Sequence, residues 1–195
     1  MRILFLMNDE GSPPGVLLEE TQALGHRPSV LVPYKNISHD PELPGAVPIS
    51  PGAHGGRVKP LGHTEWGFLP QTWLPAAKED VLLAESPPGL PLMQWHGDTF
   101  DLPSEAVPLS TRLDCPGQAF RIGEINWGLQ FHLELDQPTL LNWAKLHADE
   151  LKEEPAPHIA QMEKDIAIYH HAQADFARMV MGRWLDVCAD AKRER

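Results

Sequence analysis

Two apolar runs, Ile3-Leu4-Phe5-Leu6-Met7 and Ser29-Val30-Leu31-Val32, decide the fold class of this chain. Short, continuously apolar runs are typical of strands buried on both faces of a parallel sheet. Between them, Ser12-Pro13 is predicted to cap and begin a helix, which Gly25 ends. A strand, a helix and a strand within about 30 residues form a right-handed βαβ unit, which predicts an α/β fold.

The strand–helix alternation does not continue beyond this unit. Pro33 to Pro60 is rich in proline and glycine, although a doubly wound domain calls for further βα units here. After Glu65 the pattern changes to short strands separated by turn residues, as in a hairpin region. The predicted strands are Trp66–Leu74, Leu92–Trp95, Ala106–Leu109, Gln118–Ile122 and Trp127–His132.

The C-terminal third is predicted to be helical. Asp136 is expected to cap a helix running toward Leu151. After a break at Glu153–Pro157, apolar residues recur at steps of three and four from Ile159 to Val187, as on one face of a helix. We interpret this stripe as core packing.

Composition limits the partners of the chain. Its 195 residues carry 16 basic and 27 acidic side chains, a net charge of −11, and the pI is about 5.3. A surface this acidic repels phosphate backbones and anionic lipids. We therefore expect neither nucleic acid nor membrane as a partner. The two cysteines, Cys115 and Cys188, form no disulfide framework, which favours a cytoplasmic location.

Two short segments carry the candidate chemistry. In Gln130-Phe131-His132-Leu133-Glu134, alternation along a strand places His132 and Glu134 on one face, at the end of a predicted strand. The pair is either a base with its orienting carboxylate or an ordinary solvated pair. The other segment, Trp95 to Pro103, holds His96 and Asp98. All four side chains are acceptable zinc or iron ligands, although the spacing does not bring the two pairs together.

These segments resemble the class I glutamine amidotransferases, in particular the stand-alone type similar to the glutaminase domain of GMP synthetase. That family has Gln-Phe-His-Pro-Glu where this chain has residues 130–134, and its His-x-Asp…Leu-Pro segment matches residues 96–103. Gly55-Gly56-Arg57-Val58 and Glu65-Trp66-Gly67 resemble two further family segments. The resemblance covers roughly residues 1–35 and 55–190.

The resemblance implies a reduced doubly wound, flavodoxin-like sheet with an antiparallel hairpin region and a helical C-terminal tail. Residues 1–150 would form the amidotransferase-like domain, with a central segment missing near residues 36–54, and residues 151–195 a helical extension packed on it. The family hydrolyses glutamine to glutamate and ammonia with a Cys-His-Glu triad and no cofactor. His132 would be the base and Glu134 its orienter, while His96 and Asp98 would lie at the glutamine pocket as substrate-binding candidates, with His96 shaping it. From its residue type alone, Asp98 is expected instead to accept bonds from backbone N–H groups of a following turn.

The family's nucleophile is absent from the expected place. It lies in a Gly-x-Cys-x-Gly turn before the Gly-Gly-Arg-Val segment, yet no cysteine precedes Cys115 here. Pro116 follows Cys115 and has no N–H to serve as an oxyanion donor, and Cys188 lies near the end of the predicted tail helix. We therefore expect a protein unable to hydrolyse glutamine by the family route.

Two alternatives stay open: a non-catalytic protein that self-associates or binds a partner, and a metal-dependent hydrolase using His96, Asp98, His132 and Glu134. The missing central strand leaves its neighbours unpaired, which favours self-association. If the chain closes the gap itself, the first βαβ unit docks directly on the strand that ends at His132. The stretch Ser50–Gly56 would then form an irregular loop near His132, with no cysteine sulfur beside the imidazole.

Overall fold

The computed structural model describes residues 1–6, 12–31, 56–146 and 155–193. The N-terminal βαβ unit forms as predicted, with β1 (Arg2–Leu6), α1 (Gly15–Ala23) and β2 (Arg27–Leu31). β1 and β2 pair in parallel, with Arg2 opposite Arg27. Gly25 follows the helix at φ +76°, as a helix stop requires.

The start of α1 differs from the prediction. The residue before the helix is Pro14, whose side chain makes no capping bond, and Ser12 lies two residues before it, so Ser12 is not in the N-cap position. Gly15 instead adopts φ +28° where the helix begins. The helix therefore starts at a glycine whose backbone lies against the backbone of Glu134. Local capping rules do not take such a tertiary contact into account.

The middle of the chain is antiparallel. β3 (Val58–Pro70) pairs with β5 (Pro91–Phe100), and β4 (Thr72–Trp73), β6 (Ala106–Thr111), β7 (Ala119–Ile122) and β8 (Asn126–Leu129) form a second sheet in the order β4-β6-β7-β8. A short 3₁₀ helix covers Pro75–Glu79. β3 and β5 are longer than predicted because they continue through a register shift between Pro60 and Glu65.

Helices complete the described chain: α2 (Gln137–Leu146), α3 (Pro155–Asp165), a π-helical turn (Ile166–His170) and α4 (His171–Arg193). Asp136 caps α2 as predicted, since its Oδ1 accepts the N–H of Thr139 at 2.9 Å. No described helix has both the length and the apolar character needed to cross a bilayer.

The predicted apolar stripe packs into two separate cores. Met162 and Ile166, from α3 and the π turn, lie with Phe68, Met93 and Trp143. Four α4 side chains join the larger core around Leu92, Leu109 and Phe131; they are Ala174, Phe176, Ala177 and Val180. Two further α4 side chains, Met181 and Leu185, pack with Ile3 in a third cluster. The interpretation of the stripe as core packing is confirmed.

The docking of the βαβ unit differs from the prediction. Among the described strands, β1 pairs only with β2, so direct strand-to-strand docking on the His132 segment is wrong for this part of the chain. Contact is made by α1, which packs on α4 and donates the Val16 N–H to the carbonyl of Glu134 at 2.9 Å. The expected loop at Ser50–Gly56 lies outside the described residues, apart from Gly56.

Candidate functional site

His132 and Glu134 form a close pair just beyond β8. The Nδ1 atom of His132 lies 2.7 Å from Oε1 of Glu134, and both side chains are about three-quarters buried. Phe131 and Leu133 point into the main core and are 3% exposed. The predicted shared face and its packed opposite face are both confirmed.

The backbone around the pair is not a continuous parallel strand. β8 runs antiparallel to β7 and ends at Leu129, and His132 makes one isolated antiparallel bridge, to Met93 of β5. The N–H of His132 donates to the Met93 carbonyl at 2.9 Å. The predicted strand Trp127–His132 is therefore too long, because β8 ends at Leu129 and the segment beyond it is held on β5 by this one bridge.

The imidazole is oriented from two sides. The carboxylate of Glu134 accepts at Nδ1, which places the second nitrogen, Nε2, in the position a general base would use. The indole of Trp143 meets the imidazole edge to face, with ring centroids 5.1 Å apart. Such packing restricts rotation of the ring, so the pair is held in a single geometry.

Gly15 allows the α1 end to approach this site. A Cβ placed on Gly15 would lie 2.2 Å from the carbonyl oxygen of Glu134. Glycine is therefore required twice, by its positive φ and by the close backbone approach.

We expect Gly15→Ala to lower the free energy of unfolding by about 2–4 kcal/mol, since backbone strain and a steric clash act together. Gly25→Ala is the matched control: it also has a positive φ, but nothing lies within 4 Å of its added Cβ. Urea denaturation of both variants measures the difference. Equal losses in the two would show that the approach to Glu134 imposes no packing constraint.

A cavity of about 530 Å³ adjoins the pair. Its walls come from β1, β8, the segment 130–134 and α4, and they are mainly apolar; they include Ile3, Phe5, Trp127, Met181 and Trp184. Its polar lining residues are His132 and Glu134 together with Asn126 and Gln130. The cavity thus separates β1 from the segment on which direct docking was expected.

Neither cysteine lines this cavity. Cys115 is fully buried elsewhere, with its Sγ 3.3 Å from Oγ1 of Thr99. Cys188 lies on α4, where burial raises the pKa of its thiol and so disfavours the reactive thiolate.

The second predicted segment lies in a different network. His96 is opposite Glu65 in the β3–β5 pair, and its Nε2 lies 3.1 Å from Oε2 of that buried carboxylate. Burial would raise the pKa of Glu65, but hydrogen bonds from His96 and Arg112 and the Arg112 charge lower it on balance. Glu65 also accepts from Gln118 Nε2 at 2.9 Å.

Asp98 is exposed within β5, where its backbone carbonyl lies 2.9 Å from Nδ1 of His96. The turn expected to follow it is wrong, because β5 continues to Phe100. Metal-capable side chains also group differently from the predicted set of four: within the described residues, His96 clusters with Glu65 and Cys115.

Sequence reasoning missed this Glu65–His96 network as a unit. The signal was present in the alternation of β5, which places Gln94 and His96 on one face. The missing information was the register, since only strand pairing puts Glu65 opposite His96.

These features define an α/β domain that holds a paired histidine and glutamate beside a cavity. No protein-family model matches the chain. Over 83 residues, 42% of its length, it is 39% and 38% identical to the glutamine-hydrolysing GMP synthases of two strains of Porphyromonas gingivalis. The aligned region spans only 16% of the length of those relatives.

Solved structures extend the likeness over almost the whole chain. A glutamine amidotransferase from Thermotoga maritima matches with a TM-score of 0.75 at 20% identity, covering 94% of this chain and 97% of that one. One from Methylobacillus flagellatus matches with a TM-score of 0.79 at 18% identity, covering 95% and 94%. The predicted resemblance is confirmed: the chain has the flavodoxin-like α/β fold of a class I glutamine amidotransferase domain.

Proposed function

We propose that this chain is a glutamine amidotransferase-type domain that keeps the histidine–glutamate half of a triad but does not hydrolyse glutamine through a cysteine. The observation that carries the proposal is the 2.7 Å His132–Glu134 pair beside a cavity that neither cysteine lines. The pair keeps an oriented proton acceptor, the imidazole of His132. Without an attacking thiol beside it, no acyl-enzyme forms.

The chemistry of the two thiols supports this proposal. Amide hydrolysis by a thiol requires a thiolate next to its base and an N–H donor for the oxyanion. Cys115 is 0% exposed and precedes a proline, so it has neither access nor the usual donor. Cys188 combines a raised pKa with a position on a helix, where the backbone N–H groups are engaged.

The ligand that suits the cavity is a small molecule. A cavity of about 530 Å³ with apolar walls and one polar edge is within the usual range of small-molecule sites.

We assign the protein to the cytoplasm, because both of its cysteines are free thiols.

A glutaminase assay tests the proposal. Purified full chain incubated with glutamine should release ammonia at no more than the buffer rate, while an active glutamine amidotransferase serves as the positive control. Turnover that is abolished by both His132→Ala and Cys188→Ser, or by His132→Ala and Cys115→Ser, would overturn it, because it would show a working thiol–imidazole pair.

A second candidate function is self-association. Ile125 and Leu129 line the cavity and remain 43% and 37% exposed, so apolar surface is available beside β8. Light scattering coupled to size-exclusion chromatography would show a dimer, which Leu129→Lys should weaken. A monomer at all concentrations would contradict this candidate and leave the first one standing.

A further inference from the structure

We propose that Glu65, His96 and Cys115 form a binding site for a zinc-type transition-metal ion, separate from the His132–Glu134 pair. Their donor atoms, one carboxylate oxygen, one imidazole nitrogen and one thiol sulfur, all lie within 4.8 Å of one another. Glu65 and Cys115 are buried, and the His96 side chain is only 9% exposed. The inference does not depend on the proposed function.

The spacing suits a tetrahedral ion. Nε2 of His96 and Oε2 of Glu65 are 3.1 Å apart. Two ligands at about 2.0–2.1 Å from zinc in tetrahedral geometry are about 3.3 Å from each other. The ion would therefore lie between these two atoms, in place of the contact of the same nitrogen with Gln94 Oε1 at 3.0 Å, and Cys115 would approach to complete three protein ligands.

Groups around the ligands already hold them in the required orientation. Nδ1 of His96 faces the carbonyl of Asp98 at 2.9 Å, which is the backbone contact that commonly fixes a metal-bound histidine. Arg112 Nε donates to Oε1 of Glu65 at 2.9 Å, and Gln118 Nε2 donates to Oε2 at 2.9 Å, which leaves the second lone pair of Oε2 for the ion. Thr99 Oγ1 lies 3.3 Å from the Cys115 sulfur.

The donor set selects the kind of metal. A thiolate with an imidazole and a carboxylate favours zinc over magnesium or calcium, which require oxygen ligands. The two negative ligand charges, Glu65 and the Cys115 thiolate, balance a divalent cation.

A pocket of about 420 Å³ lies beside Cys115. Thr99, Asp114 and Pro116 line it and contact or flank Cys115, whereas the three ligands themselves do not line it. Thr99 thus borders both the pocket and the thiol.

Zinc chloride titrated into chelator-treated full chain, followed by calorimetry and by elemental analysis after gel filtration, tests the site. We expect one equivalent in the wild type and at least about 100-fold weaker binding in Cys115→Ser and Glu65→Gln. The matched thiol control, Cys188→Ser, should bind like the wild type. His132→Ala should do so as well, which separates this site from the other histidine–glutamate pair.

Cobalt(II) gives a readout that needs no variant at the site. A near-ultraviolet thiolate-to-cobalt absorption band in the wild type, unchanged in Cys188→Ser, supports the site even if Cys115→Ser does not fold. Substoichiometric zinc in the wild type, no such cobalt band, or full zinc binding by folded Cys115→Ser would each overturn the proposal.

Discussion

Glu65→Ala is expected to lower the free energy of unfolding by about 3–5 kcal/mol, because it removes the one anion from a buried hydrogen-bonded group. The Glu65 side chain is 3% exposed and accepts from His96, Arg112 and Gln118. Without it, the Arg112 guanidinium and the Gln118 amide lose their partner in a place that water reaches poorly. Such a loss is a large part of the roughly 5–15 kcal/mol that stabilises a typical domain.

Urea denaturation at neutral pH measures this loss. Glu85→Ala is the matched control, since Glu85 pairs with Arg183 at the surface with its side chain 76% exposed, and it should change stability by at most about 1 kcal/mol. A similar small loss in both variants would mean that the Glu65 group adds no more than a surface ion pair.

The same carboxylate gives a pH dependence. The folded-state pKa of Glu65 lies below its ordinary value of 4.5, so its contribution is complete above that value and is lost as the pH falls through the folded-state pKa. The difference in stability between wild type and Glu65→Gln should therefore shrink as the pH falls from about 4.5. A difference independent of pH would contradict the assignment of an ionised Glu65.

Asp80→Ala is expected to have an effect of similar size, about 3–5 kcal/mol. The Asp80 side chain is fully buried and accepts from Arg121, from the Trp127 indole and from the backbone N–H groups of Leu82 and Leu83. One carboxylate thus ties the turn after the 3₁₀ helix to β7 and β8. Truncation leaves several buried donors without an acceptor.

Asp101→Ala provides the comparison for Asp80, because Asp101 pairs with Lys59 at a largely exposed position and should contribute at most about 1 kcal/mol. Thermal and urea unfolding of both variants should separate them clearly. Near-equal stabilities would show that other groups satisfy the donors around Asp80.

Local patterns predicted the elements better than their pairing. The apolar runs near residues 3–7 and 29–32 correctly predicted two strands, and the alternation around His132 correctly placed its side chain with that of Glu134. The expected burial of both strands on both faces is wrong for the described residues, since Ile3 is buried but Val30 is 40% exposed. The bridge from His132 to Met93 depends on a partner about 40 residues away, which no local pattern contains. The Glu65–His96 network was missed for the same reason.

The start of α1 shows a further limit of local reasoning. Ser12-Pro13 has the composition of a helix start, yet the helix begins at Gly15 because its backbone must pass close to Glu134. Tertiary contact overrides the local preference there. Family resemblance was the stronger guide to the fold as a whole, since the segments at residues 96–103 and 130–134 are specific in order as well as in composition.

The π-helical turn at Ile166–His170 joins α3 to α4, which pack into different hydrophobic cores. Each residue of an α-helix rotates the chain by about 100°, and a π turn admits one extra residue. Deleting one residue there would convert the π turn to regular α-helix and leave Phe176 and Val180 close to the face that meets the larger core. Deleting one residue between His171 and Asp175, within α4, would instead turn that face away by about 100°. The tail is therefore expected to tolerate the loss of one residue at the π turn and not in the regular helix beside it.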